Sequence, residues 1–420
     1  MKLLIVADDL SGAADCAIAF ASAGLRTVVT LDASHPSGDA QVIAVDTDTR
    51  RLTGSDAAQR SVAAYHALLQ DGQRLYKKID STLRGNWAAE VAGLHGVAGL
   101  AIVAPAFPAT GRTTVDARVL VNGQALDTTD TWQLEHAGQC ADLDVMLQTA
   151  GLRTARLPLA TLRGEPAVLS GFLRDAASGN AQALIVDAQT AEDLHTLATA
   201  TSGLTEAFFW VGSGGLAREI AALPQLFSAA MPASAFTPNR RAPVLVLVGS
   251  LSAVSERQCA LLKQRTGIHE LTVAPSVLRE GLQHADWQAW STRIGARLQR
   301  GEDLLLRIGR DATFDPAEGA LLSSALASMV RAHFGQLGGL VVTGGETARA
   351  MLTATGIGSL ALLCEIEAGV ALGLPVASRD GHRPGIVTKA GAFGTDHALY
   401  ASWLHLKDAA EPTAQAAASV

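Results

Sequence analysis

The sequence predicts an α/β protein of two domains, each built on a mostly parallel sheet flanked by helices. Short apolar runs rich in Val, Ile and Leu alternate with longer helical stretches along the 420 residues. The length exceeds that of one compact domain. A stretch with three prolines and no hydrophobic periodicity, residues 228–243, separates two series of such runs.

The first series opens with Lys2–Ala7, an apolar run that suits a buried parallel strand. A helix is predicted over Ser11–Ala23, and Gly24 is its expected stop. The strands predicted next are Thr27–Leu31, Gln41–Asp46, Leu75–Ile79, Leu100–Ala104, Ala183–Asp187 and Phe208–Val211.

The second series contains the predicted strands Val244–Val248, Asp303–Ile308 and Gly339–Thr343, with a helix from about Ala348. Ordered structure is expected to end near Lys407, because the tail beyond it is rich in Ala, Thr and Ser. The predicted organisation is a first domain over 1–230, a linker over 231–243, a second domain over 244–408 and a disordered tail over 409–420.

Composition excludes several classes of protein. The 33 basic and 40 acidic residues give a net charge of −7 without long runs of either sign, so neither nucleic acid nor a membrane surface is an expected partner. Four scattered cysteines predict no disulfide framework or structural zinc site. The opening apolar stretch is too short for a signal peptide, and no run reaches transmembrane length, which predicts a cytoplasmic protein.

The segment Ala7–Ala13, Ala-Asp-Asp-Leu-Ser-Gly-Ala, places Asp8 and Asp9 where the first strand should end. Ligands of open α/β sheets gather at the carboxyl ends of strands. Neighbouring strand residues point to opposite faces, so both carboxylates reach one ligand only if the strand has already stopped. The alternative is that Asp9 is an N-terminal helix cap.

A second motif, Lys78-Ile-Asp-Ser-Thr-Leu-Arg-Gly-Asn86, follows another predicted strand. Its Lys and Arg can hold a carboxylate, and Asp80 can accept a hydrogen bond or a proton from a sugar hydroxyl. The alternative is a salt-bridged turn. Arg50, after the strand that ends at Asp46, is either a further carboxylate anchor or a solvated loop arginine.

Glycine-rich turns characterise the second half: Gly249–Ser252, Thr343–Thr347 and Lys389–Gly394. Glycines let backbone N–H groups approach phosphate oxygens, so three such turns favour a nucleotide phosphate site. Neither GxxxxGK[ST] nor GxGxxG after the first strand is present. In the first half, the stiff loop Pro105–Thr114 either closes over a ligand or serves only as a connection.

These motifs together resemble the four-carbon acid sugar kinase family. Ala7–Ala13 is similar to its Ala-Asp-Asp-(Phe/Leu)-Thr-Gly-Ala signature, and Lys78–Asn86 to its Lys-x-Asp-Ser-(Thr/Ala)-Leu-Arg-Gly-Asn. Pro105–Arg112, Thr343–Thr347, Glu365–Gly369 and Lys389–Gly394 match in type and order. The resemblance implies a sugar-acid domain, an ATP domain, a cleft between them, and ATP-dependent phosphorylation of the terminal hydroxyl of a four-carbon sugar acid.

Phosphoryl transfer needs an acceptor for the hydroxyl proton and Mg²⁺ to neutralise charge. Our hypothesis is that Asp80 or Asp9 accepts the proton while Arg84 and Lys78 anchor the substrate carboxylate; the Mg²⁺ ligands are left open. The resemblance also implies which residues contact the substrate and ATP. The implied substrate contacts are Asp8, Asp9, Arg50, Lys78, Asp80, Ser81, Thr82 and Arg84. The implied ATP contacts are Ser250, Ser252, Gly344, Gly345, Glu346, Thr347, Gly391 and Gly394. The expected partner is a small-molecule sugar acid, and a homo-oligomer is compatible with the sequence.

The chain departs from the family pattern at Ser11, where threonine is common, at Ala392, where asparagine is common, and at Ala368, where proline is common. The Asp-Ser-Thr-Leu-Arg-Gly-Asn form resembles the threonate and erythronate kinases, which favours D-threonate and then D-erythronate. The alternatives are a 3-oxo-tetronate kinase, a non-catalytic sugar-acid binding protein and a nucleotide-sugar transferase.

Overall fold

The computed structural model describes residues 1–34, 39–129, 132–133, 138–227, 236–312, 315, 318–377, 381–391 and 393–407. The chain divides into two compact units, Met1–Ala233 and Ser234–Val420. Each unit combines a sheet with flanking helices, which confirms the predicted fold class. Residues 231–235 of the predicted linker, and the whole predicted tail 409–420, lie outside the described residues.

The first unit contains a sheet of eight parallel strands in the order β2-β3-β1-β4-β11-β5-β10-β9. Strands β6, β7 and β8 form a separate small antiparallel sheet. The bounds in chain order are β1 Lys2–Ala7, β2 Thr27–Thr30, β3 Val42–Asp46, β4 Gln73–Lys78, β5 Leu100–Ala104, β6 Arg112–Val115, β7 Arg118–Val121, β8 Gln124–Ala125, β9 Thr154–Leu157, β10 Ala183–Val186 and β11 Phe208–Gly212.

Helices connect most of these strands. The first, Leu10–Ser22, is buried along most of its length and is followed by Gly24, whose φ of 83° is the left-handed conformation typical of a helix stop. The other α-helices of this unit are Gly54–Leu68, Trp87–Ala98, Leu143–Thr149, Leu159–Leu162, Pro166–Ser178, Ala191–Ser202 and Gly214–Ala221, with short 3₁₀ turns at Pro108–Thr110 and Leu126–Thr128.

The core of the first unit explains why its strands read as continuous apolar runs. Leu3, Leu4, Ile5 and Val6 of β1 are all fully buried, although successive residues point to opposite faces of the sheet. Both faces are therefore covered, as expected for a parallel sheet between helix layers.

The second unit contains seven strands in the order β13-β14-β12-β15-β18-β17-β16, of which β17 runs antiparallel to both neighbours. The bounds are β12 Val244–Val248, β13 His269–Val273, β14 Leu304–Ile308, β15 Gly339–Thr343, β16 Ser359–Glu367, β17 Val370–Pro375 and β18 Gly385–Lys389. The helices are Ala253–Thr266, Pro275–Glu280, Trp287–Gln299, Gly319–Arg331, Gly345–Thr355 and Ala398–Lys407, with 3₁₀ turns at Gly281–Gln283 and Phe334–Gln336.

Every strand predicted from the sequence is present, with ends that shift by one or two residues at most. The helix expected from Ala348 begins three residues earlier, at Gly345, because a glycine turn supplies its N-terminus. In the described part of the predicted linker, Phe236 packs against the core of the second unit. Across the described ranges, we find no helix with the length and apolar character needed to cross a membrane.

Candidate active site

The sheet of the first unit changes direction between β1 and β4. β1 leads through helix Leu10–Ser22 to β2 on one side, whereas β4 leads through helix Trp87–Ala98 to β5 on the other. Such a switch point opens a crevice at the carboxyl ends of the two strands. Ala7 pairs with Lys78 there, so the two polar motifs begin at the same level of the sheet.

Asp8 and Asp9 converge on Arg50. The Arg50 guanidinium donates from Nε to Asp8 Oδ2 at 2.8 Å and from Nη2 to Asp8 Oδ1 at 3.1 Å. It also donates from Nη1 and Nη2 to the two oxygens of Asp9, each at 3.1 Å. β1 ends at Ala7, as predicted, so the two carboxylates can turn to one partner, which in this structure is Arg50. Arg50 is therefore not a solvated loop residue.

Arg50 keeps a buried carboxylate charged. Burial alone would raise the pKa of Asp8, but the charge and hydrogen bonds of Arg50, with the charges of Lys77 and Lys78, outweigh it and hold the pKa below its usual value. Only 3% of the Asp8 side chain is exposed, against 24% for Asp9. Asp9 is thus the more accessible of the two carboxylates.

Asp9 is also the cap of helix Leu10–Ser22. Its Oδ1 accepts the N–H of Gly12 at 2.9 Å, so the alternative role considered for Asp9 is real and coexists with its bond to Arg50. A Cβ on Gly12 would lie 2.5 Å from Asp9 Oδ1 and 3.2 Å from Lys78 Nζ. Gly12 therefore leaves space for both the carboxylate and the ammonium beside the helix start.

The second motif forms a clamp on Asp80. Arg84 donates from Nε to Asp80 Oδ2 at 2.6 Å and from Nη2 to Oδ1 at 3.3 Å, and Thr82 Oγ1 donates to Oδ2 at 2.5 Å. Burial would raise the pKa of Asp80, but the charge and hydrogen bonds of Arg84, then the charges of Arg50 and Lys78, lower it well below the ordinary value. The predicted alternative, a salt-bridged turn, is thus part of the site.

Lys78 offers a cation that the protein itself does not neutralise. It is 4% exposed, and no carboxylate of the described residues lies within ion-pair distance of its Nζ. Its charge nevertheless acts on both Asp8 and Asp80. Ser81, next to Asp80, is also buried. A free ammonium beside two carboxylates suits a ligand that carries both an anionic group and hydroxyls.

Two residues of this site were not predicted as ligands. Arg112 is the first residue of β6, and the charges of Asp80 and Arg84 act on its guanidinium. Its Nη1 donates a hydrogen bond to Thr110 O at 3.0 Å. Its buried Nε has no partner among the described residues. Ser11 Oγ, at the start of the first helix, is buried and likewise unpartnered there. Arg112 lies in the stiff Pro105–Thr114 loop, and the possibility that this loop closes over a ligand was the only indication of Arg112 in the sequence.

A buried polar network holds the loop that carries Arg50. Glu90 pairs with Lys77 at 2.9 Å and accepts Thr49 Oγ1 at 2.5 Å and Ser61 Oγ at 3.1 Å. Asn86 Nδ2 donates to the carbonyls of Thr49 at 3.1 Å and Leu52 at 2.8 Å. The loop that carries Arg50 is therefore fixed from the helix side.

In the second unit, the predicted glycine turns meet at the ends of β12, β15 and β18. Gly249 N–H donates to Thr343 O at 3.4 Å, and Gly344 N–H donates to Lys389 O at 2.9 Å. A Cβ on Gly249 would overlap Thr347 Oγ1, so this turn requires glycine for close approach. The three turns form one surface within this unit.

Gly344 makes helix Gly345–Thr355 suitable for an anion. It occupies the N-cap position with φ 95° and has no side chain to cap the first backbone N–H groups. Such a helix start attracts phosphate. Glu346 lies in the first turn, whereas the Thr347 hydroxyl bonds Ser323 Oγ at 2.9 Å and is turned to the interior.

The two predicted serines differ in what they contact. Ser252 Oγ accepts the Ser255 N–H at 3.2 Å as a helix cap and lies 3.1 Å from the Gly391 carbonyl oxygen, so its hydroxyl is used within the protein. Ser250 lies against Gly391, where a Cβ would overlap its Oγ. Gly394 has φ 79°, and Ala392 lies outside the described residues.

Comparison with known proteins follows this division into units. Residues 3–220 match a family described as sugar-binding N-terminal domain, and residues 245–399 match one described as nucleotide-binding C-terminal domain. The chain is 51% identical to a D-threonate kinase of Cupriavidus necator, over 99% of this chain and 100% of that protein. It is 31% identical to a D-threonate kinase of Salmonella typhimurium, over 95% and 97%.

More distant relatives include a D-erythronate kinase of Heliobacterium modesticaldum at 27% identity and a 3-oxo-tetronate kinase of Burkholderia multivorans at 28%. A crystal structure of a Salmonella typhimurium LT2 protein shares the fold with a TM-score of 0.77 at 21% identity, covering 95% of this chain and 98% of that one. The matches span nearly the whole chain, and the chain belongs to the four-carbon acid sugar kinase family, with its sugar-binding and nucleotide-binding domains.

Proposed function

We propose that this chain transfers the γ-phosphoryl group of ATP to the terminal hydroxyl of D-threonate. The observation that carries the proposal is 51% identity over the full length of a D-threonate kinase. The polar cluster in the first unit supports it, because a four-carbon sugar acid carries one carboxylate and several hydroxyls, and the cluster offers complementary groups for both.

We assign the substrate carboxylate to Lys78 and Arg112. The Lys78 ammonium lacks an ion-pair partner among the described residues, and the buried Arg112 Nε lacks an acceptor there. An unpaired buried donor is costly, and a carboxylate ligand would satisfy both groups. Arg50 and Arg84 are committed to Asp8, Asp9 and Asp80, so we assign them to holding those carboxylates in place.

We assign Asp9 as the acceptor of the hydroxyl proton. Asp80 has a strongly lowered pKa, because the charge and hydrogen bonds of Arg84 outweigh the effect of burial, and it is therefore a weak base. Both oxygens of Asp9 bond Arg50, but the Asp9 side chain is 24% exposed, against 3% for Asp8 and 10% for Asp80, so it is the most accessible of the three carboxylates. As the substrate oxygen bonds to the γ-phosphorus and the bond to ADP breaks, Asp9 takes the proton from that oxygen. Ser11 and Ser81 are placed to orient the remaining hydroxyls.

The second unit supplies the nucleotide end of the reaction. The uncapped start of helix Gly345–Thr355 and the turns at Gly249 and Gly391 suit the phosphates of ATP. Among the described residues, no group of three or more His, Cys, Asp or Glu side chains is arranged to hold a metal ion. Mg²⁺ commonly binds through phosphates, waters and one or two carboxylates. The residues at the start of helix Gly345–Thr355 therefore fit an ion that arrives bound to the nucleotide. Glu346, in the first turn of this helix, is the acidic residue closest in sequence to the helix start. When bound, Mg²⁺ neutralises phosphate charge.

The test is ADP release, measured with a coupled assay, with D-threonate, L-threonate, D-erythronate and 3-oxo-tetronates as acceptors. We expect the highest kcat/KM with D-threonate. A preference for D-erythronate or a 3-oxo-tetronate would reject the substrate assignment. Absence of ADP release with every acid, together with thermal stabilisation by sugar acids and not by Mg-ATP, would identify a binding protein instead.

A further inference from the structure

Lys389, the last residue of β18, is a buried cation without an acidic partner. It is 1% exposed, and its Nζ donates to Ala390 O at 2.9 Å and to Gly391 O at 3.2 Å. No carboxylate of the described residues lies within ion-pair distance. It lies opposite Thr343, whose buried Oγ1 has no hydrogen-bond partner among the same residues. Burying an unpaired ammonium is costly, and neutral side chains could bond two carbonyls at lower cost.

The carbonyl of Gly391 is fixed by three donors. Besides Lys389 Nζ at 3.2 Å, it accepts Ser252 Oγ at 3.1 Å and Ser255 Oγ at 2.9 Å. The two serines belong to the loop and helix that follow β12, whereas Lys389 belongs to β18. These bonds therefore tie two of the glycine turns of the second unit to each other.

The bonds of Lys389 also orient a backbone donor. In a trans peptide, the C=O and N–H groups point in opposite directions. Because Lys389 holds the Ala390 carbonyl, the N–H of Gly391 in the same peptide unit points away from the ammonium. This N–H forms no backbone hydrogen bond among the described residues. It is therefore available to a ligand, on the glycine that belongs to the proposed nucleotide site.

We propose that Lys389 is a positioning residue for the nucleotide: it holds the Ala390–Gly391 turn so that the Gly391 N–H meets a phosphate of ATP, and its charge attracts that phosphate. The inference rests on the proposed function of the second unit as the ATP site. A neutral donor would be enough to hold the turn. The positive charge of Lys389 adds a strong interaction with the phosphates of the nucleotide, because the charge is buried.

The pKa of Lys389 makes the inference testable by pH. Burial lowers this pKa to about 8, although the charge of Glu367 on β16 acts to raise it, and the Cys259 thiol on helix Ala253–Thr266 faces the same ammonium. Burial raises the pKa of the Cys259 thiol to about 11, so Cys259 stays protonated where Lys389 titrates. Raising the pH through 8 removes the charge of Lys389, and nucleotide affinity should therefore fall.

The experiment measures the Kd of Mg-ADP by calorimetry between pH 7 and 9.5, for the parent and for Lys389→Met, Ser255→Ala and Lys263→Met. We expect Lys389→Met to raise Kd about tenfold or more at pH 7 and to abolish the weakening above pH 8. Ser255→Ala removes one neutral donor and should raise Kd a few-fold while keeping the pH dependence. Lys263, an exposed lysine paired with Glu270, is the matched control and should leave Kd unchanged.

All the substituted residues lie in the second unit, so a circular dichroism spectrum and a cooperative thermal transition like those of the parent show that each variant is folded. Unchanged Kd and pH dependence in folded Lys389→Met overturn the inference. If Lys389→Met does not fold, a parent Kd that is flat up to pH 9.5 together with an unaffected Ser255→Ala overturns it. If the parent protein binds Mg-ADP through Lys389 but shows no kinase activity, only the proposed function is rejected. If the parent does not bind Mg-ADP, both the proposed function and the inference on Lys389 are rejected.

Discussion

Lys77 and Glu90 form an ion pair from which water is excluded. The Lys77 Nζ lies 2.9 Å from Glu90 Oε2, and neither side chain has any exposed surface. Lys77 precedes Lys78 in β4, and Glu90 bonds Thr49, the neighbour of Arg50. The pair therefore joins the segment that carries Lys78 to the segment that carries Arg50, two cations of the proposed substrate site.

Replacing Glu90 with Gln should lower the free energy of unfolding by about 3–5 kcal/mol, because the ammonium of Lys77 would remain buried without its counter-charge. Urea unfolding followed by circular dichroism measures this change. Adding Lys77→Met to Glu90→Gln removes the stranded charge and should recover part of the loss.

The control for this prediction is the exposed pair Arg257–Asp396, whose side chains are 56% and 50% exposed. Asp396→Asn should change the free energy of unfolding by less than about 1 kcal/mol, because exposed pairs contribute little. Equal effects of Glu90→Gln and Asp396→Asn would contradict the importance assigned to the buried pair.

Asp9 and Asp80 should differ in the kinetic parameter that they control. Asp9→Asn removes the proposed proton acceptor and should lower kcat about 10²–10⁴-fold with a smaller change in the KM for D-threonate. Asp80→Asn releases Arg84 and should mainly raise that KM. Steady-state kinetics at saturating ATP separates the two effects. The opposite pattern would transfer the role of base to Asp80.

Arg50 should set the acid limit of activity. The pKa of Asp8 is lowered because the charge of Arg50 outweighs the effect of burial, so Asp8 stays ionised, and the site intact, until the pH falls through this lowered value. Removing Arg50 should raise the pKa of Asp8, and kcat/KM should then be lost at a higher pH than in the parent. The measurement is the pH profile of kcat/KM for Arg50→Met.

The exposed neighbour Arg51 provides the matched control, and Arg51→Met should keep the parent profile. Arg50→Lys should fall between the two, since an ammonium preserves charge but cannot donate to two carboxylates in the fork geometry of a guanidinium. An acid limb that does not move in Arg50→Met would show that Asp8 is not ionised through Arg50.

The sequence predicts the strands best where both faces are buried. Runs such as Val244–Val248 contain only apolar residues and were placed correctly. By contrast, β13 has the sequence His-Glu-Leu-Thr-Val, and its first two residues are partly exposed. Its polar residues make it resemble a loop, so the sequence does not predict this strand. The insertion of β11 between β4 and β5 also escapes prediction, because it depends on pairing between residues more than a hundred positions apart.

The proposed substrate-binding cluster was predictable to the extent that its residues follow strands. Asp8, Asp9 and Asp80 were expected at strand ends and do follow the paired ends of β1 and β4, where the charges of all three act on Arg50. Their partners were not predictable in detail: Arg50 could have been solvated, and its four bonds depend on the path of the loop after β3. Arg112 was missed because its approach to Asp80 follows from the tertiary position of β6, not from spacing.

Gly344 should be irreplaceable at the start of helix Gly345–Thr355. Its φ of 95° lies in a region that side chains rarely adopt, although a Cβ there would meet nothing closer than 3.6 Å. Gly344→Ala should therefore act through backbone strain, on the order of 1–3 kcal/mol, and not through a clash. If the helix start rotates to relieve that strain, its N–H groups leave the phosphate position and the KM for ATP rises.

The matched control is Gly335→Ala, since Gly335 is not among the residues with positive φ and a Cβ there has open space. The KM for ATP and that for D-threonate should be measured for both variants. Gly344→Ala should raise the first about tenfold and leave the second unchanged, because the strain is confined to the nucleotide-binding unit. A rise of both constants would indicate general unfolding, and an unchanged KM for ATP would place the phosphates away from this helix.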